Sequence, residues 1–382
     1  MKQAIMIGAG NIGRGFIGAI LSRSGYHVTF ADVNMTLIDA INAEGRYTVH
    51  IQDRNPAAFT ITNIDGISSA GPELAEALKT AELVTTAVGL RILPIVAKPI
   101  AAGIAARKAA GNAAPLNIVA CENAVRATSQ LKNAVYALLD DETKAFADAN
   151  VGFADCAVDR IVPKMDFADP LDVAVEEFSE WDVERSSWRG ELPQIDGMSV
   201  VDDLSAYIER KLFTLNSGHA ICAYLGCLRG HHTILDSVND PIIGPIVYKA
   251  MQQSGAGLVK KFSMDAEKHQ AYIDRIFARF HNPYLQDEVA RVGREPIRKL
   301  AASDRLINPL LTAYNFRLPV DQLIFGAAAA LRYDNAEDPQ SVELQKTIAE
   351  QGAAAALEQY SGLAADHPLS TRILDVYRAL AV

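Results

Sequence analysis

The sequence has few cysteines, no long hydrophobic run and no excess of positive charge. Only four of its 382 residues are cysteine, and none lies in a C-x-x-C pair or at a zinc-binding spacing from a histidine, which argues against a disulfide framework or a zinc site. No apolar run approaches the length of a membrane span or of a signal-peptide core. Lys and Arg total 36 against 46 Asp and Glu, a net charge of −10, so no basic surface favours nucleic acid or anionic lipid. We therefore expect a soluble, cytoplasmic protein that binds neither nucleic acid nor a membrane.

The composition and the order of predicted elements indicate an α/β protein of more than one domain. Hydrophobic residues make up 49% and charged residues 21%, as in ordinary globular chains. At roughly 150 residues per domain, the length suggests two or three domains. In the first third, short apolar runs alternate with helical periodicity, which predicts a parallel sheet covered by helices on both faces. The predicted strands are 4–7, 28–31, 83–88 and 116–120, and the predicted helices are 12–21, 94–107 and 125–139.

A change of pattern near residue 190 predicts where the first domain ends. Segments 47–51 and 59–64 are typical of an inserted hairpin, and 172–178 is typical of a strand near the end of the sheet. Residues 189–198 collect glycine, proline and polar side chains, as an inter-domain connection does. Beyond them helical periodicity dominates, with a helix predicted to begin at Asp338-Pro339. We expect an α/β domain over 1–192 and a mainly α-helical domain over 193–382.

A glycine-rich turn at the start of the chain predicts a Rossmann-type dinucleotide-binding domain. The string G-x-G-x-x-G follows the first predicted strand and opens the first helix; it consists of Gly8, Ala9, Gly10, Asn11, Ile12 and Gly13. Its glycines permit a tight turn, the approach of a pyrophosphate and close helix–strand packing. Asp32, 19 residues after Gly13, would bind the ribose hydroxyls and repel a 2′-phosphate.

These features favour NAD as the cofactor. Thr86, Ala87 and Val88, which end a later predicted strand, would lie beside its nicotinamide half. FAD, or a glycine turn that holds no nucleotide, remains an alternative, because flavoproteins share the motif and glycines are common.

Three polar residues on one predicted helix, 207–220, form a candidate catalytic set. At about 100° per residue, Lys211, Asn216 and His219 share one broad face. A lysine among apolar neighbours is suited to act as a general base toward an alcohol. An asparagine can donate to an oxygen on which charge develops, and the histidine can bind substrate or orient the lysine. The alternative is an ordinary amphipathic helix without catalytic function.

The densest basic cluster of this acidic chain lies at 291–299, where Arg291, Arg294, Arg298 and Lys299 occur within nine positions. Two or more such donors can hold a phosphate, and the guanidinium fork matches its oxygens. We expect an anion such as a substrate phosphate to bind Arg294, Arg298 or Lys299. A solvated basic face paired with Glu288 or Glu295 is the alternative.

Taken together, the motifs resemble those of the polyol-specific long-chain dehydrogenases over the whole chain. The matching segments are GAGNIGRGFIG at 8–18, ADVN at 31–34, TTAVG at 85–89, ACEN at 120–123, VDRIVP at 158–163, RKLFTLNSGHA at 210–220 and NPYLQDEVARVGREPIRKL at 282–300. They look closest to the bacterial branch that interconverts D-mannitol 1-phosphate and D-fructose 6-phosphate. The resemblance therefore implies a small-molecule substrate of this kind and NAD as cofactor. It favours a monomer, with a dimer formed through the helical domain as the alternative.

The resemblance also implies roles for individual residues. Lys211 would be the general acid/base of a metal-independent dehydrogenase, with Asn123 and Asn216 as its oxyanion hole. His219 would contact the substrate and help to fix the lysine. Asp159 would bind substrate hydroxyls and Arg160 would support the site. Arg291 and Lys299 would line the polyol site.

Alternatives remain for these residues and for the function. Asn123 could instead cap a strand, and Asp159 could form a buried salt bridge with Arg160. A dehydrogenase of an unphosphorylated polyol or a hexuronate is one rival function. A non-catalytic NAD-binding sensor is another, although a sensor would need no general base.

Overall fold

The computed structural model describes residues 1–53, 55–163, 165–285 and 287–380, so Gln286 of the 282–300 motif lies outside the described residues. The chain divides into two compact units, Met1–Leu204 and Ser205–Val382. This division lies later than the expected boundary after residue 192. The segment 189–198 belongs to the first unit, because the strand that follows it, Met198–Val201, pairs with Glu180–Glu184 of the same unit.

The first unit alternates strands with helices over most of its length. Its strands are β1 Lys2–Ile7, β2 Tyr26–Asp32, β3 Tyr47–Ile51, β4 Ala57–Ile61, β5 Ile64–Ser68, β6 Leu83–Thr86, β7 Leu116–Ala120, β8 Val151–Phe153, β9 Cys156–Asp159, β10 Val173–Val175, β11 Glu180–Glu184 and β12 Met198–Val201. Its helices are α1 Gly18–Arg23, α2 Met35–Glu44, α3 Glu73–Ala77, α4 Leu93–Ala109, α5 Ala127–Tyr136 and α6 Asp141–Asn150. A π-helical turn, Gly13–Ile17, leads into α1.

The main sheet is parallel, in the strand order β5-β2-β1-β6-β7-β8. Successive side chains of a strand point to opposite faces, so Met6 packs with α1 and α2 while Ile5 and Ile7 pack with α3, α4 and α5. Both faces of the central strands are buried, which is why apolar residues predominate in them. The predicted doubly covered parallel sheet is confirmed.

The inserted strands differ in part from the prediction. The hairpin of β3 and β4 is confirmed, but β4 ends at Ile61 and β5, from Ile64, joins the main sheet. Asn63 between them has a φ of 57°, a turn conformation that interrupts the predicted strand 59–64. The expected place of strand 172–178 in the main sheet was wrong: β10 pairs with β3 in a separate three-stranded sheet. A third sheet has the order β12-β11-β9.

The second unit is built from helices. They are α7 Leu204–Lys211, α8 Ser217–Leu228, α9 Ile234–Asn239, α10 Ile243–Phe262, α11 Ala266–Phe280, α12 Val289–Gly293, α13 Pro296–Leu300, α14 Ile307–Asn315, α15 Asp321–Leu331, α16 Pro339–Gln351, α17 Ala353–Ser361 and α18 Pro368–Ala379. The predicted start at Asp338 is confirmed, because its carboxylate caps α16 by accepting from Gln340 N at 3.1 Å. Among the residues that the structure describes, no helix is both long and apolar enough to cross a membrane.

Candidate functional site

The predicted cofactor residues of the first unit lie at one edge of the main sheet. The register pairs Ile7 with both Ala31 and Thr86, and pairs Thr86 with Ala120, so four neighbouring parallel strands end at the same level. The glycine turn, Asp32, residues 86–88 and Asn123 follow these ends. Ligands of open α/β sheets bind at this carboxyl edge.

The three glycines of the turn have different surroundings. Gly8 has a φ of +99°, and a Cβ placed on it would lie 2.5 Å from the carbonyl oxygen of Ala87. A Cβ on Gly13 would overlap the carbonyl oxygen of Gly8, whereas one on Gly10 would meet nothing within 4 Å. The fold itself therefore requires Gly8 and Gly13. Gly10 leaves open space beside the backbone, where a pyrophosphate fits at the start of a helix.

Asp32 is tied to this turn by its carboxylate. It accepts from Ala9 N at 2.7 Å and from Asn34 N at 2.9 Å, and the side chain is half-buried. The next residue, Val33, is 74% exposed, and no basic residue occurs between Asp32 and the end of α2. The nearby Arg14 is buried and its guanidinium donates to the carbonyl oxygens of Ala9 and Leu171. An acid followed by no basic residue in this stretch suits a ribose with free hydroxyls and opposes a 2′-phosphate, so the residues fit NAD.

Replacement of Asp32 by asparagine tests this selectivity. Asp32→Asn keeps an oxygen for Ala9 N but removes the charge, so the ratio of the NADPH to the NADH dissociation constant is expected to fall about tenfold. Fluorescence titration with both cofactors measures it, and Asp39→Asn, at an exposed position on α2, is the control. An unchanged ratio would place the selectivity elsewhere.

Glu122 is a site residue that the sequence analysis did not single out. Its buried carboxylate accepts from Thr86 Oγ1 at 2.7 Å, Val88 N at 3.0 Å and Gly89 N at 2.9 Å. These bonds join the loop after β6 to the loop after β7 and so fix the backbone next to Asn123. An acidic residue two positions after the end of the buried strand β7 was the available signal for this role.

Asp159 and Arg160 lie at the end of strand β9, which belongs to the third sheet. Asp159 is the last residue of β9 and is buried. The Arg160 guanidinium donates to Glu176 O at 2.9 and 3.1 Å and to Gly15 O at 3.4 Å. Because Gly15 lies in the π turn after the glycine motif, Arg160 supports that helix start.

In the second unit, Lys211, Asn216 and His219 lie on one continuous helical segment that contains a second π turn. This turn, Leu212–Asn216, separates α7 from α8, and Ser217 N bonds the carbonyl of Leu212. Ser217 Oγ also donates to Leu212 O at 3.0 Å and to Arg305 O at 2.6 Å, which anchors the turn.

The π turn changes the relative direction of two predicted catalytic residues. In a regular α-helix, residues five apart differ by about 140°. A π turn closes i→i+5 bonds, so it brings such residues toward one side, and π turns often occur at functional sites. Lys211 stands at the start of the turn and Asn216 at its end, and they therefore face more nearly the same direction than the spacing alone predicted.

His219 is held by two partners in the second unit. Its Nε2 lies 3.2 Å from Asp287 Oδ2, and its ring stacks on Phe280 at 5.2 Å between centroids. Burial lowers the pKa of His219 below its ordinary value, which favours the neutral ring. Arg291 pairs with the other oxygen of Asp287, so the structure brings His219 and Arg291 together through this carboxylate.

The basic cluster does not form one pocket of free cations. Arg294 is exposed, with Nε 3.4 Å from the carbonyl oxygen of Arg291. Arg298 forms ion pairs with Glu295 at 2.7 Å and with Asp304 at 3.1 Å. The ion pair with Glu295 is one that the alternative of a solvated basic face predicted.

Lys299 is buried beneath the loop between α12 and α13. Its Nζ donates to Val292 O at 2.5 Å and to the carbonyl of Arg294. Burial, with the charges of Arg305 and Arg298, lowers the pKa of Lys299 to about 7. In this structure its ammonium group holds the loop that carries Arg294.

This pKa predicts a pH-dependent contribution to stability. Between pH 7 and the ordinary lysine pKa of 10.5, the unfolded chain binds the proton that the folded chain has lost, so the free energy of unfolding rises with pH. Lys299→Met removes this slope. Urea unfolding at pH 7, 8 and 9 measures the free energy of unfolding of both proteins. The wild-type value minus the Lys299→Met value should increase as the pH rises. Lys260→Met, at an exposed position, is the control; a constant gap would contradict the lowered pKa.

Among the residues that the structure describes, no group of three or more His, Cys, Asp or Glu side chains could hold a metal ion.

Comparisons with known proteins agree with this architecture. The chain is similar to a crystal structure of D-sorbitol dehydrogenase in substrate-free form, with a TM-score of 0.83 and 15% identity over 99% of this chain and 92% of that one. It is also similar to Pseudomonas fluorescens mannitol 2-dehydrogenase in a ternary complex with NAD and D-mannitol, with a TM-score of 0.69 and 17% identity over 99% and 91%. At these identities the likeness shows a shared fold.

Residues 2–197 match the family model of the mannitol dehydrogenase Rossmann domain, and residues 203–380 match that of the mannitol dehydrogenase C-terminal domain. With both models covering nearly all of its length, the chain belongs to the mannitol dehydrogenase family, whose members are NAD-dependent polyol oxidoreductases.

Proposed function

We propose that the protein interconverts D-mannitol 1-phosphate and D-fructose 6-phosphate with NAD, the activity of a mannitol-1-phosphate 5-dehydrogenase. The observation that carries the proposal is the set Lys211, Asn216 and His219, placed on one helical segment whose π turn draws the first two toward one side. The motif resemblance to the polyol-phosphate branch supports the choice of a phosphorylated substrate.

The proposed chemistry assigns one task to each side chain. Bound NAD supplies the nicotinamide ring that accepts hydride from the carbinol carbon. Lys211 takes the hydroxyl proton during oxidation and returns it during reduction. Asn123 and Asn216 donate hydrogen bonds to the oxygen on which negative charge develops. Asp159 and His219 bind other hydroxyls of the polyol.

The substrate phosphate is assigned to the loop around α13. Arg294 and Arg298 supply guanidinium groups, whose planar forks match phosphate oxygens. Within the described residues, the Arg294 side chain has only the backbone oxygen of Arg291 as a hydrogen-bond partner, so it can take an anion without breaking an ion pair. Lys299 fixes the loop between them, and Arg291 lines the polyol site beside Asp287.

NADH oxidation measured with fructose 6-phosphate beside fructose, at matched concentration, tests the proposal. The expected result is rapid oxidation with the phosphate alone, and a higher KM for the phosphate in Arg294→Ala. Arg275→Ala, on α11, is the control. Equal or faster oxidation of fructose would favour an unphosphorylated polyol. Oxidation with a keto-hexuronate alone would favour a hexuronate dehydrogenase, and silence with every substrate would favour the NAD-binding sensor.

The proposal includes a monomer that acts in the cytoplasm, in line with the expectations from the sequence. Light scattering at micromolar concentration tests the first point, and a stable dimer would overturn it.

A further inference from the structure

Asp287 connects two residues of the proposed polyol site, and nothing in the sequence patterns singled it out. Its Oδ2 lies 3.2 Å from Nε2 of His219, while Oδ1 forms an ion pair with Arg291. The Asp287 side chain is only 15% exposed. Burial would raise the pKa of Asp287, yet its bonds to His219 and Arg291 lower it overall, which keeps the carboxylate ionised.

The segment that carries Asp287 is itself held firmly. Ile234 N donates to the carbonyl oxygen of Asp287 at 2.8 Å, and Val289 N donates to His232 O at 2.9 Å. A β-bridge joins Thr233 to Glu288. The carboxylate therefore stands on a backbone fixed to the start of α9, which suits a side chain that must set the position of another.

The contact with Asp287 determines which ring nitrogen of His219 carries the proton. An ionised carboxylate oxygen carries lone pairs and no proton, so its 3.2 Å contact with the buried Nε2, which has no aligned hydrogen bond within the described residues, is favourable only when Nε2 carries the proton. Burial, together with the positive charges of Arg291 and Arg279, favours the neutral ring, and Phe280 fixes its plane. Nδ1 is then a lone-pair acceptor and the nitrogen that remains for a ligand.

We propose that Asp287 is a positioning residue that makes His219 a hydrogen-bond acceptor for a substrate hydroxyl and holds Arg291 beside it. The identity of the substrate rests on the proposed function. An acceptor at Nδ1 favours a hydroxyl, which can donate, and disfavours a carboxylate or phosphate oxygen, which cannot. At this position the site therefore takes a hydroxyl of its substrate rather than a carboxylate or phosphate oxygen.

The tautomer can be measured without substrate. In protein labelled with ¹⁵N-histidine, the His219 signals, assigned by their loss in His219→Gln, should show protonation at Nε2. In Asp287→Asn the new amide can donate to Nε2, so the proton should move to Nδ1, as happens when the aspartate of a catalytic triad is replaced by asparagine. Protonation at Nδ1 in the wild type, or no change in the variant, would overturn the proposal.

Kinetics separate positioning from a merely structural effect. Asp287→Asn should lower kcat/KM for fructose 6-phosphate by about tenfold to a hundredfold, with NADH affinity and Tm near those of the control Asp274→Asn, an exposed carboxylate bonded to Tyr248 and Gln270. In a His219→Gln background, Asp287→Asn should lower kcat/KM much less, because the imidazole through which Asp287 acts is absent. An equally large loss of kcat/KM in that background would contradict the proposal that Asp287 acts through His219. If the wild type does not reduce fructose 6-phosphate, the proposed function fails, but the tautomer measurement still decides the role of Asp287.

Discussion

Replacing Lys211 with alanine is expected to lower kcat for fructose 6-phosphate reduction by a factor of about 10²–10⁴, the usual contribution of a general acid or base. The reason is that the amine is the proposed donor of the proton to the developing alkoxide. NADH affinity should not change, because the cofactor residues lie in the other unit, on the glycine turn and the strand ends around it. Stopped-flow absorbance gives kcat, and fluorescence titration gives the NADH dissociation constant.

Two further variants show whether the charge or the proton transfer of Lys211 matters. Lys211→Arg keeps a positive charge but cannot release a proton near neutral pH, so it should be nearly as inactive as Lys211→Ala. Lys260→Ala, on the exposed side of α10, should retain full activity. Near-normal turnover in Lys211→Ala would remove this lysine from the mechanism, and strong activity in Lys211→Arg would leave it an electrostatic role only.

The second large effect is expected from two glycines of the turn. Gly10 should be needed for NADH binding, and Gly13 should be needed for the stability of the fold. Gly10→Ala places a methyl group in open space, so the fold should remain while the NADH dissociation constant rises at least about tenfold, because the methyl group would occupy the path of the pyrophosphate. Gly13→Ala drives a methyl group into the carbonyl oxygen of Gly8 and should destabilise the protein by about 1–3 kcal/mol.

Thermal unfolding and NADH titration of both variants provide the comparison. Each variant is the matched control of the other, since both add one methyl group to the same turn. Wild-type NADH affinity in Gly10→Ala would show that no pyrophosphate approaches this backbone. Wild-type stability in Gly13→Ala would contradict the close helix–strand packing described here.

Local patterns predicted the first unit well where burial determines the sequence. Strand β7 coincides with the predicted 116–120, because a strand covered on both faces is mostly apolar, and the side chain of its one polar residue, Asn117, bonds to the backbone of Arg189. The break at Asn63 was missed because a single residue in a turn conformation interrupted a segment in which apolar and polar residues alternate, as they do in a strand. The pairing of β10 with β3 joins residues far apart in sequence, which periodicity does not encode.

For the candidate site, the sequence predicted which residue types are present but not the contacts that they make. The motif spacing indicated Lys211, Asn216 and His219, but a uniform α-helix was assumed, and the π turn is anchored from outside by Arg305 O. Glu122 and Asp287 were passed over because their importance comes from partners on other loops and helices. Lys299 was chosen for its charge, whereas burial has turned that charge toward backbone carbonyls.

Reduction of fructose 6-phosphate with NADH deuterated at the transferable position tests the central claim most directly. The account predicts mannitol 1-phosphate that carries one deuterium, at the carbinol carbon formed from the ketone, as read by NMR of the product. A deuterated sorbitol phosphate, or fructose 6-phosphate recovered unchanged while fructose is reduced, would contradict the account.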